Sequence, residues 1–376
     1  MMKVALVYDR VNKWGGAERV LLALHELYPD APLYTAVYDK KNAPWATVFD
    51  VRPSFLNNLP FASSIHELLP MVTPFAFETF SFDEFDLVIS VTSAEAKNII
   101  TKPNTHHICY CLTPTRFLWS GYDQYREKPG LGVFRSIGRI GLTKLAPILR
   151  RWDRIAASRP DVYIAISERV KKRIQTYYDR QVEAVIYPPV EIHKLLDPKS
   201  VSKFSECSYF LTVSRLVSYK KIDLLIEAFN ELKLPLTIIG KGREENFLKK
   251  IAGNTITFVT RHLTEKELVS YYDNCRAFLY CADEDFGIVA VEAQARGKAV
   301  IAYKESGVAE SVIDGKTGIL FTTQSIESID TAIHAFEKSI IREEDCKNQA
   351  LLFSKEQFKI GMRNIVEKFM KGRKDV

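Results

Sequence analysis

The residues best suited to chemistry are two cations and two glutamates in the second half of the chain. Arg215 and Lys220 follow one short apolar run. Glu284 and Glu292 flank the turn after another. A guanidinium grips a diphosphate with its planar fork, an ammonium adds a point charge, and a carboxylate suits two adjacent hydroxyls such as a ribose diol. The R-x4-K and E-x7-E spacings therefore predict a site for a phosphate-bearing ligand; a solvated basic loop and a helix-capping Glu284 are the alternatives.

Backbone amides add to this predicted site. A helix is expected to start just after the acids at 283–285, and the first amides of a helix have no partner within it, so they suit an anion or a sugar hydroxyl. Another helix is expected to begin near Ala17, after paired glycines at a strand-to-helix turn, where a backbone can approach a ligand closely; a simple tight turn is the alternative. The residues concerned are Phe286, Gly287, Ile288 and Val289 in the first case, and Gly15 and Gly16 in the second.

The elements that must position these residues are predicted from hydrophobic periodicity. Short, unalternated apolar runs alternate with helical patterns along most of the chain. Parallel strands covered on both faces by helices have this pattern, so the sequence predicts an α/β fold of doubly wound, Rossmann-like sheets. The predicted strands cover residues 4–7, 87–91, 107–111, 162–166, 182–187, 209–213, 236–239, 256–259, 277–281 and 299–302.

Two prolines divide the predicted strands into two groups. Pro188 and Pro189 follow a strand and force an extended exit, which places a linker near 188–208. The first domain is therefore predicted to span 1–190 and the second 191–353. A last helix near 354–371 carries Phe358, Met362 and Val366 on one face. It either closes the second domain or crosses back onto the first.

The composition is that of an ordinary globular protein of 376 residues with a net charge of +6. That mild charge is compatible with a phosphate-bearing ligand or an anionic membrane face and is no signature of nucleic-acid binding. No apolar run approaches the ~20 residues that span a bilayer, and the first residues lack a signal-peptide core, so we expect a cytoplasmic protein. The six cysteines contain no C-x-x-C pair and predict reduced core thiols.

The segment 131–152 is basic throughout. It carries Arg135, Arg139, Lys144, Arg150 and Arg151 and contains no acid. A basic amphipathic helix can lie on the surface of an anionic membrane, which would suit a lipid-linked substrate. An ordinary surface helix with its apolar side in the core has the same pattern, and the sequence leaves both interpretations open.

Taken together and in order, the motifs resemble family 4 of the retaining glycosyltransferases, which have the two-domain B-type fold. The resemblance covers nearly the whole chain and implies two domains that face each other across a cleft, with a final helix, about 354–376, that belongs to the first. The motifs are Gly15-Gly16-Ala17-Glu18, S-R-L-V-S-Y-K at 214–220, Gly240-Lys241-Gly242, E-D-F-G-I-V-A-V-E-A-Q-A at 284–295, Gly307-Val308-Ala309-Glu310 and Asp314-Gly315-Lys316-Thr317-Gly318.

The resemblance implies a role for each motif. Arg215 and Lys220 would hold the donor diphosphate, and Glu284 would contact the transferring sugar, which makes these three the catalytic set. Glu292 would contact the ribose, and Gly16 would approach the phosphates from the other domain. Ser214, Gly240 and Arg261 join the donor-binding residues, and Thr113, Arg116 and Tyr122 are expected on the acceptor side of the first domain.

The closest resemblance within that family is to bacterial polysaccharide mannosyltransferases of the O-antigen type. It rests on Y-C-L-T-P-T-R-F-L-W at 110–119 and Tyr187-Pro188-Pro189-Val190. It implies mannose transfer from GDP-mannose to a growing glycan or lipid-linked acceptor in surface polysaccharide or lipopolysaccharide biosynthesis. A UDP-sugar donor, a non-catalytic nucleotide-sugar-binding protein and a sugar-nucleotide epimerase are the alternatives. Leu112 and Thr260 depart from the His and Gly that many relatives carry.

Two acidic patterns imitate metal sites. Asp285-Phe286-Gly287 matches the magnesium-binding triplet of protein kinases, but the H-R-D, V-A-I-K and glycine-rich loops are missing. Asp283-x-Asp285 matches the D-x-D of a different glycosyltransferase fold class with a single nucleotide-binding domain. We therefore expect no catalytic metal and no other cofactor.

Overall fold

Two parallel sheets organise the chain. The computed structural model describes residues 2–59, 71–127, 135–196 and 208–371. Contacts between residues divide the protein into a first unit, Met1–Pro188 with Lys359–Val376, and a second unit, Pro189–Phe358. Each unit contains one sheet of parallel strands, which confirms the predicted class of two doubly wound α/β domains.

The first sheet has the strand order β3-β2-β1-β4-β5-β6-β7 within the described residues. Every residue of β1, β4 and β5 is buried, as expected for apolar runs covered on both faces. The strands are β1 (Val4–Tyr8), β2 (Leu33–Thr35), β3 (Val51–Pro53), β4 (Leu87–Thr92), β5 (His106–Cys111), β6 (Val162–Ala165) and β7 (Ala184–Val185).

The longer helices of the first unit bury one apolar face, whereas the short helix Tyr122–Glu127 has no buried residue. In the first of them Val20, Leu21 and Leu24 are buried at helical spacing. The fifth is capped by Ser167, whose side chain accepts a hydrogen bond from the Val170 amide. The described helices are α1 (Gly16–Leu27), α2 (Thr73–Glu78), α3 (Tyr122–Glu127), α4 (Arg135–Ala157) and α5 (Glu168–Tyr178). None of the helices in the described ranges is both long and apolar enough to cross a membrane.

The second sheet has the order β10-β9-β8-β11-β12-β13 in the described part of the chain. It is apolar on both faces: Phe278 and Tyr280 of β11 join one buried cluster, and the alternate residues Ala277 and Leu279 join another. The strands are β8 (Tyr209–Val213), β9 (Leu236–Ile239), β10 (Ile256–Val259), β11 (Cys275–Tyr280), β12 (Val300–Tyr303) and β13 (Gly318–Phe321).

The helices of the second unit cover this sheet. The capping box of one of them pairs Thr264 with Glu267, so that each side chain accepts from the other residue's amide. The described helices are α6 (Ile192–Leu196), α7 (Ile222–Leu232), α8 (Glu245–Ile251), α9 (Glu265–Asn274), α10 (Ile288–Ala295), α11 (Ile326–Lys338) and α12 (Glu343–Leu351).

Three strands were not expected from the sequence. β2 and β3 have three residues each and β13 has four, too few for a periodicity to show. β3 contains Pro53 and lies at the edge of its sheet, where a missing amide donor is tolerated. Each of these strands is added in parallel beside a neighbouring strand of its sheet, a pairing that the local sequence does not show.

The last helix, α13 (Lys355–Lys371), begins in the second unit and ends in the first. Within the first unit, Lys359 pairs with Glu26 at 2.8 Å and Lys368 pairs with Glu183 at 2.6 Å. Met362 is fully buried. Residues 359–371 therefore pack with the first unit.

A buried ion pair ties α4 to the turn after β4. The Nζ of Lys97 lies 2.6 Å from Asp153, and these side chains are only 1% and 7% exposed. Asp153 also accepts hydrogen bonds from Thr115 at 2.9 Å and from the Trp119 indole at 2.7 Å. Burial is the largest single effect and lowers the pKa of Lys97, but the charge and hydrogen bond of Asp153, together with the charge of Asp9, outweigh it and the pKa is raised. The Lys97 ammonium therefore remains charged inside the protein.

We predict that Asp153→Ala strongly destabilises the first unit. Removing one partner leaves the Lys97 ammonium buried without its counter-charge, which typically costs 3–5 kcal/mol, about the most a single substitution does. Urea denaturation followed by tryptophan fluorescence measures the loss, with the exposed Asp123→Ala on α3 as the matched control. Equal denaturation midpoints for the two variants would contradict this role.

A buried neutral imidazole makes the stability depend on pH. His107 is fully buried in β5, and its Nε2 lies 2.8 Å from the Ser90 hydroxyl. Burial, with a smaller effect of the Arg159 charge, lowers the pKa of His107 to about 3. In the unfolded chain that pKa is about 6.5. The resulting stabilisation is fully present above pH 6.5 and is lost as the pH falls towards 3.

We predict that His107→Gln, which cannot titrate, flattens this dependence. Between pH 6 and pH 4 the free energy of unfolding of the natural protein should fall more steeply than that of the variant, by about 1.4 kcal/mol per pH unit. Urea titrations across this pH range measure both slopes. Parallel slopes would show that His107 does not titrate on unfolding as described.

Candidate active site in the second unit

The candidate site lies where the strand order of the second sheet reverses. β9 and β10 lie on one side of β8, and β11 to β13 lie on the other. Doubly wound sheets bind ligands in the crevice at such a switch point, at the carboxyl ends of the strands. Arg215 and Lys220 follow β8, and Glu284 follows β11, so the fold brings the two predicted segments to this point.

Lys220 is the centre of a buried polar cluster. Its side chain is 7% exposed, and its Nζ donates to the Tyr280 hydroxyl at 2.7 Å and to the Glu284 carboxylate. The Tyr280 hydroxyl in turn donates to Glu284 at 3.1 Å. The rings of Tyr219 and Tyr280 both lie 5.3 Å from Nζ. Lys220 and Glu284, 64 positions apart in the chain, are therefore direct partners.

Tyr280 completes this cluster and was not among the residues expected from the sequence. Burial, and then the negative charge of Glu284, raise the pKa of Tyr280 well above its usual value. The phenol therefore stays neutral and can accept from Lys220 while it donates to Glu284. The available signal was a tyrosine that ends a buried strand at its carboxyl end, but many core tyrosines share that position.

The loop that carries Glu284 is fixed by the turn after β12. The Glu284 amide donates to the Ser306 hydroxyl at 3.1 Å, and the Gly307 amide donates to the Glu284 carbonyl at 2.8 Å. A Cβ added to Gly307 would lie 2.2 Å from the Asp285 carbonyl oxygen. Only glycine permits this backbone approach, so Gly307 helps to set the position of Glu284.

The loop after β8 rests in the same way on the loop after β9. The Ser214 amide donates to the Ile239 carbonyl at 2.9 Å, and the Leu216 amide donates to the Lys241 carbonyl at 2.9 Å. Gly240 has a φ of +149°, and a Cβ there would lie 1.8 Å from the Ser214 carbonyl oxygen. Gly240 therefore supports the segment that carries the cations.

Arg215 is exposed, in contrast to Lys220. Its guanidinium donates to the Tyr219 hydroxyl, and the Tyr219 ring also lies against Lys220. Tyr219 thus links the two predicted cations. A guanidinium that is open to solvent next to a buried ammonium can reach a bound anion without breaking a core contact.

Glu292 is buried within α10, at 6% exposure. Its carboxylate accepts a hydrogen bond from the Tyr272 hydroxyl of α9 at 3.0 Å. This contact gives the carboxylate a fixed orientation. Tyr272, like Tyr280, was missed by the sequence analysis because its partner is 20 positions away on another helix.

The start of α10 provides the expected backbone donors. Gly287 precedes the helix with a φ of +88°, and Ile288 and Val289 form its first turn. Such first-turn amides have no partner within the helix and favour an anion. The Phe286 side chain points away from any such role, because it is 2% exposed and packs against Phe353 at 5.4 Å between ring centroids. Phe286 could contribute only through its backbone.

Arg261 follows β10, two strands from β8. It is paired with Glu267 at 2.6 Å, and 58% of its side chain is exposed. This contact, with hydrogen bonds from Thr264, lowers the pKa of Glu267 to about 2. In the structure Arg261 is thus bound to the N-terminal cap of α9 and is not part of the Lys220 cluster.

The glycine pair of the first unit lies at the start of α1, as expected. Gly15 is the N-cap residue and Gly16 the first residue of the helix. Below them the Tyr8 hydroxyl donates to Glu18 at 2.8 Å, and burial raises the pKa of both groups. A Cβ on Gly15 would lie 3.1 Å from the Glu18 carboxylate, so this buried acid shapes the turn.

The three expected acceptor residues have different local surroundings. Thr113 is buried, with its hydroxyl 3.5 Å from the Arg173 guanidinium. Arg116 is half-buried and its carbonyl accepts from the Gly121 amide at 2.8 Å. Tyr122 lies under the Arg150 guanidinium at 4.4 Å. Of the three, Arg116 and Tyr122 are accessible to a ligand in the structure.

The second unit resembles known proteins in its sequence. Residues 195–352 match the sequence model of a family described as glycosyl transferases, group 1. This range includes β8, the Lys220 cluster, Glu292 and the start of α10. The second unit carries a glycosyltransferase group 1 domain. The match does not extend over the first unit.

Two curated relatives are similar over about half of the chain. An uncharacterized glycosyltransferase of Methanocaldococcus jannaschii is 28% identical over 53% of this chain and 55% of its own length. A GDP-mannose-dependent alpha-(1-6)-phosphatidylinositol monomannoside mannosyltransferase of Mycolicibacterium smegmatis is 27% identical over 50% of this chain and 56% of its own. The matches therefore span little more than half the length of these relatives.

A solved structure shares the fold over nearly the whole chain. The crystal structure of Anabaena HepE in complex with UDP and glucose has a TM-score of 0.70 with this protein, at 19% identity, and covers 98% of this chain and 100% of HepE. At that identity the similarity establishes the fold. It accounts for both units, including the first, which the group 1 match leaves out.

We predict that Gly307→Ala destabilises the second unit and displaces Glu284. The added Cβ would have to push the backbone of Asp285, and such overpacking typically costs 1–3 kcal/mol. Gly141→Ala is the matched control, because a Cβ there meets no atom within 4 Å and alanine favours the helix by about 1 kcal/mol. Thermal unfolding should show opposite shifts. A Gly307→Ala protein as stable as the natural chain would contradict the backbone contact.

Proposed function

We propose that the protein is a retaining glycosyltransferase that transfers a sugar from a nucleoside diphosphate donor. The observation that carries the proposal is the Lys220–Tyr280–Glu284 cluster, which lies at the switch point of a sheet within a group 1 domain. The Arg215 guanidinium stands beside it on the exposed side. Lys220 and Arg215 offer positive charge to a diphosphate, and the start of α10 offers amide donors.

The chemistry requires stabilisation of the leaving group. As the bond between the sugar C1 and the phosphate oxygen breaks, negative charge grows on the diphosphate, and Lys220, Arg215 and the α10 amides would stabilise it. We propose that this charge stabilisation suffices without a metal ion. The acceptor hydroxyl attacks C1 from the same face and its proton passes to the departing phosphate oxygen, so no protein nucleophile is required.

The glutamates would then orient the donor. Glu284 is held by Lys220, Tyr280 and the turn at Ser306, so its position is fixed before a sugar arrives. A preorganised carboxylate loses little entropy when it accepts a hydrogen bond from a sugar hydroxyl. Glu292, oriented by Tyr272, would accept from the ribose hydroxyls.

For the donor we propose GDP-mannose, used to extend a glycan or a lipid-linked saccharide of a surface polysaccharide. The support is the resemblance of residues 110–119 to O-antigen mannosyltransferases and the GDP-mannose named for the mycobacterial relative. A UDP-sugar is the second candidate, because HepE was crystallised with UDP and glucose. An ammonium, a phenol and a carboxylate suit any sugar diphosphate, so the side chains of the cluster favour neither donor.

The donor is identified by thermal unfolding and transfer assays with GDP-mannose, UDP-glucose and UDP-GlcNAc. A donor that binds only the folded protein raises the melting temperature according to its affinity, and we expect the largest rise with GDP-mannose. A larger rise with a UDP-sugar would reassign the donor. Binding without hydrolysis or transfer under any acceptor tested would favour a non-catalytic protein, and an epimerised free nucleotide sugar would identify an epimerase.

We predict that Lys220→Met lowers the turnover number by roughly 100-fold or more, as loss of one oxyanion donor does in other enzymes. Methionine keeps the apolar stem, so the fold should tolerate it better than alanine. Lys266→Met on α9 is the control for loss of an exposed lysine. Normal turnover in a folded Lys220→Met protein would exclude Lys220 from catalysis.

A further inference from the structure

The outward face of α4 is apolar and basic at once. Ile140, Ile148 and Ile155 are 54%, 55% and 52% exposed. The core contact of the helix is already made by its other side, where Ala146, Leu149 and Ala156 are buried. More than half of each of the three isoleucine side chains is therefore left in contact with solvent. The exposed residues between 138 and 157 are Arg139, Ile140, Thr143, Lys144, Pro147, Ile148, Arg151, Arg154 and Ile155.

The charges on this face have one sign. Between 138 and 157 the exposed charged residues are four arginines and lysines, and the single acid, Asp153, points inward to Lys97. Acids near α4 include two on α3, where Asp123 pairs with Arg126 at 3.1 Å and Glu127 borders a groove beside Arg139 and Lys144. Another is Glu78 of α2, whose carboxylate accepts from the Trp152 indole at 3.4 Å and pairs with Arg159. The face itself presents positive charge around aliphatic side chains.

Two of the neighbouring arginines are held in place by aromatic rings. Arg150 lies 4.4 Å from the Tyr122 ring and Arg154 lies 5.0 Å from the Trp119 ring. Arg150 also donates to the Leu118 carbonyl at 2.7 Å. Together with Arg151 they line an open groove of about 670 Å³ beside Trp119. Fixed guanidinium groups beside an indole match the phosphate level of a bilayer, where tryptophan also concentrates.

We propose that the outward face of α4 binds the surface of an anionic lipid bilayer. The helix, about 35 Å long, would lie parallel to the surface with Ile140, Ile148 and Ile155 at the boundary of the acyl chains. Arg139, Lys144, Arg151 and Arg154 would contact lipid phosphates. The exposed charges of the helix between 138 and 157 are all positive, which matches an anionic bilayer, whereas a protein partner would be expected to meet both signs of charge.

The proposal is tested by flotation of the full chain with phosphatidylcholine vesicles, with and without phosphatidylglycerol. Binding is expected to the phosphatidylglycerol vesicles only, and it should weaken as NaCl is raised because salt screens the attraction. Failure to float with anionic vesicles at low salt would overturn the proposal. This assay needs no donor or acceptor, so its outcome is independent of the proposed glycosyl transfer.

Charge is tested by a triple variant, Arg139→Gln, Lys144→Gln and Arg151→Gln, which leaves the ring-bound Arg150 and Arg154 in place. Each cation near an anionic surface contributes roughly fivefold to binding, so the vesicle partition coefficient should fall by roughly 100-fold. The control removes the same charge from the second unit: Lys250→Gln, Lys266→Gln and Lys338→Gln, all exposed. An equal loss in both variants would show attraction by net charge alone and would contradict a specific face.

Insertion is tested by Ile140→Ser, Ile148→Ser and Ile155→Ser, which should reduce the partition coefficient at least tenfold while the melting temperature stays unchanged. The control replaces exposed aliphatic residues elsewhere: Ile340→Ser, Leu352→Ser and Ile360→Ser. Unchanged vesicle binding in the α4 variant would overturn the proposed insertion. Concentration-dependent sedimentation that disappears in the α4 variant, without lipid binding by the natural chain, would instead identify the face as a contact between copies of the protein.

Discussion

The burial of one ammonium group constrains most of the second unit. A lysine that is 7% exposed must have its charge compensated. The charge of Lys220, which follows β8, is compensated by Glu284, and its ammonium also donates to Tyr280 at the end of β11. This contact couples the loops after β8 and β11. Both loops are in turn held by close backbone approaches at Gly240 and Gly307. The geometry of the site thus follows from the need to pair one buried charge.

The first unit uses buried charge differently. Lys97 and Asp153 are both inaccessible, and Asp9 accepts from Thr92 at 2.7 Å and from the Ala96 amide at 2.8 Å. Lys97, Asp153 and Asp9 form hydrogen bonds with groups inside the protein, and these bonds hold the turns of the first unit in place. In the second unit Glu284 is 18% exposed and Arg215 is open to solvent. The two networks therefore differ in exposure. The partly exposed network of the second unit can accept a ligand, whereas the buried network of the first unit stabilises the fold.

The two sides of α4 have different surroundings. Its inner side supplies Asp153, Leu149 and several alanines to the first unit, whereas Ile140, Ile148 and Ile155 on its outer side are more than half exposed. The proposed lipid contact would use this outer side and would leave the buried contacts of the helix unchanged. Tyr122 was expected on the acceptor side, and in the structure its ring supports Arg150 beside that same face.

Local patterns in the sequence determined the α/β class, most strands of both sheets and the two segments that carry Lys220 and Glu284, because periodicity and motif spacing act over a few residues. Only the tertiary structure decided what those residues touch. Tyr280 and Ser306 are partners of Glu284, and Tyr272 is the partner of Glu292. These contacts join residues 4 to 22 positions apart. The tertiary structure also places the Phe286 side chain in the core and pairs Arg261 with Glu267. It leaves three isoleucines of α4 more than half exposed. Those outcomes depend on how elements pack, which no local periodicity encodes.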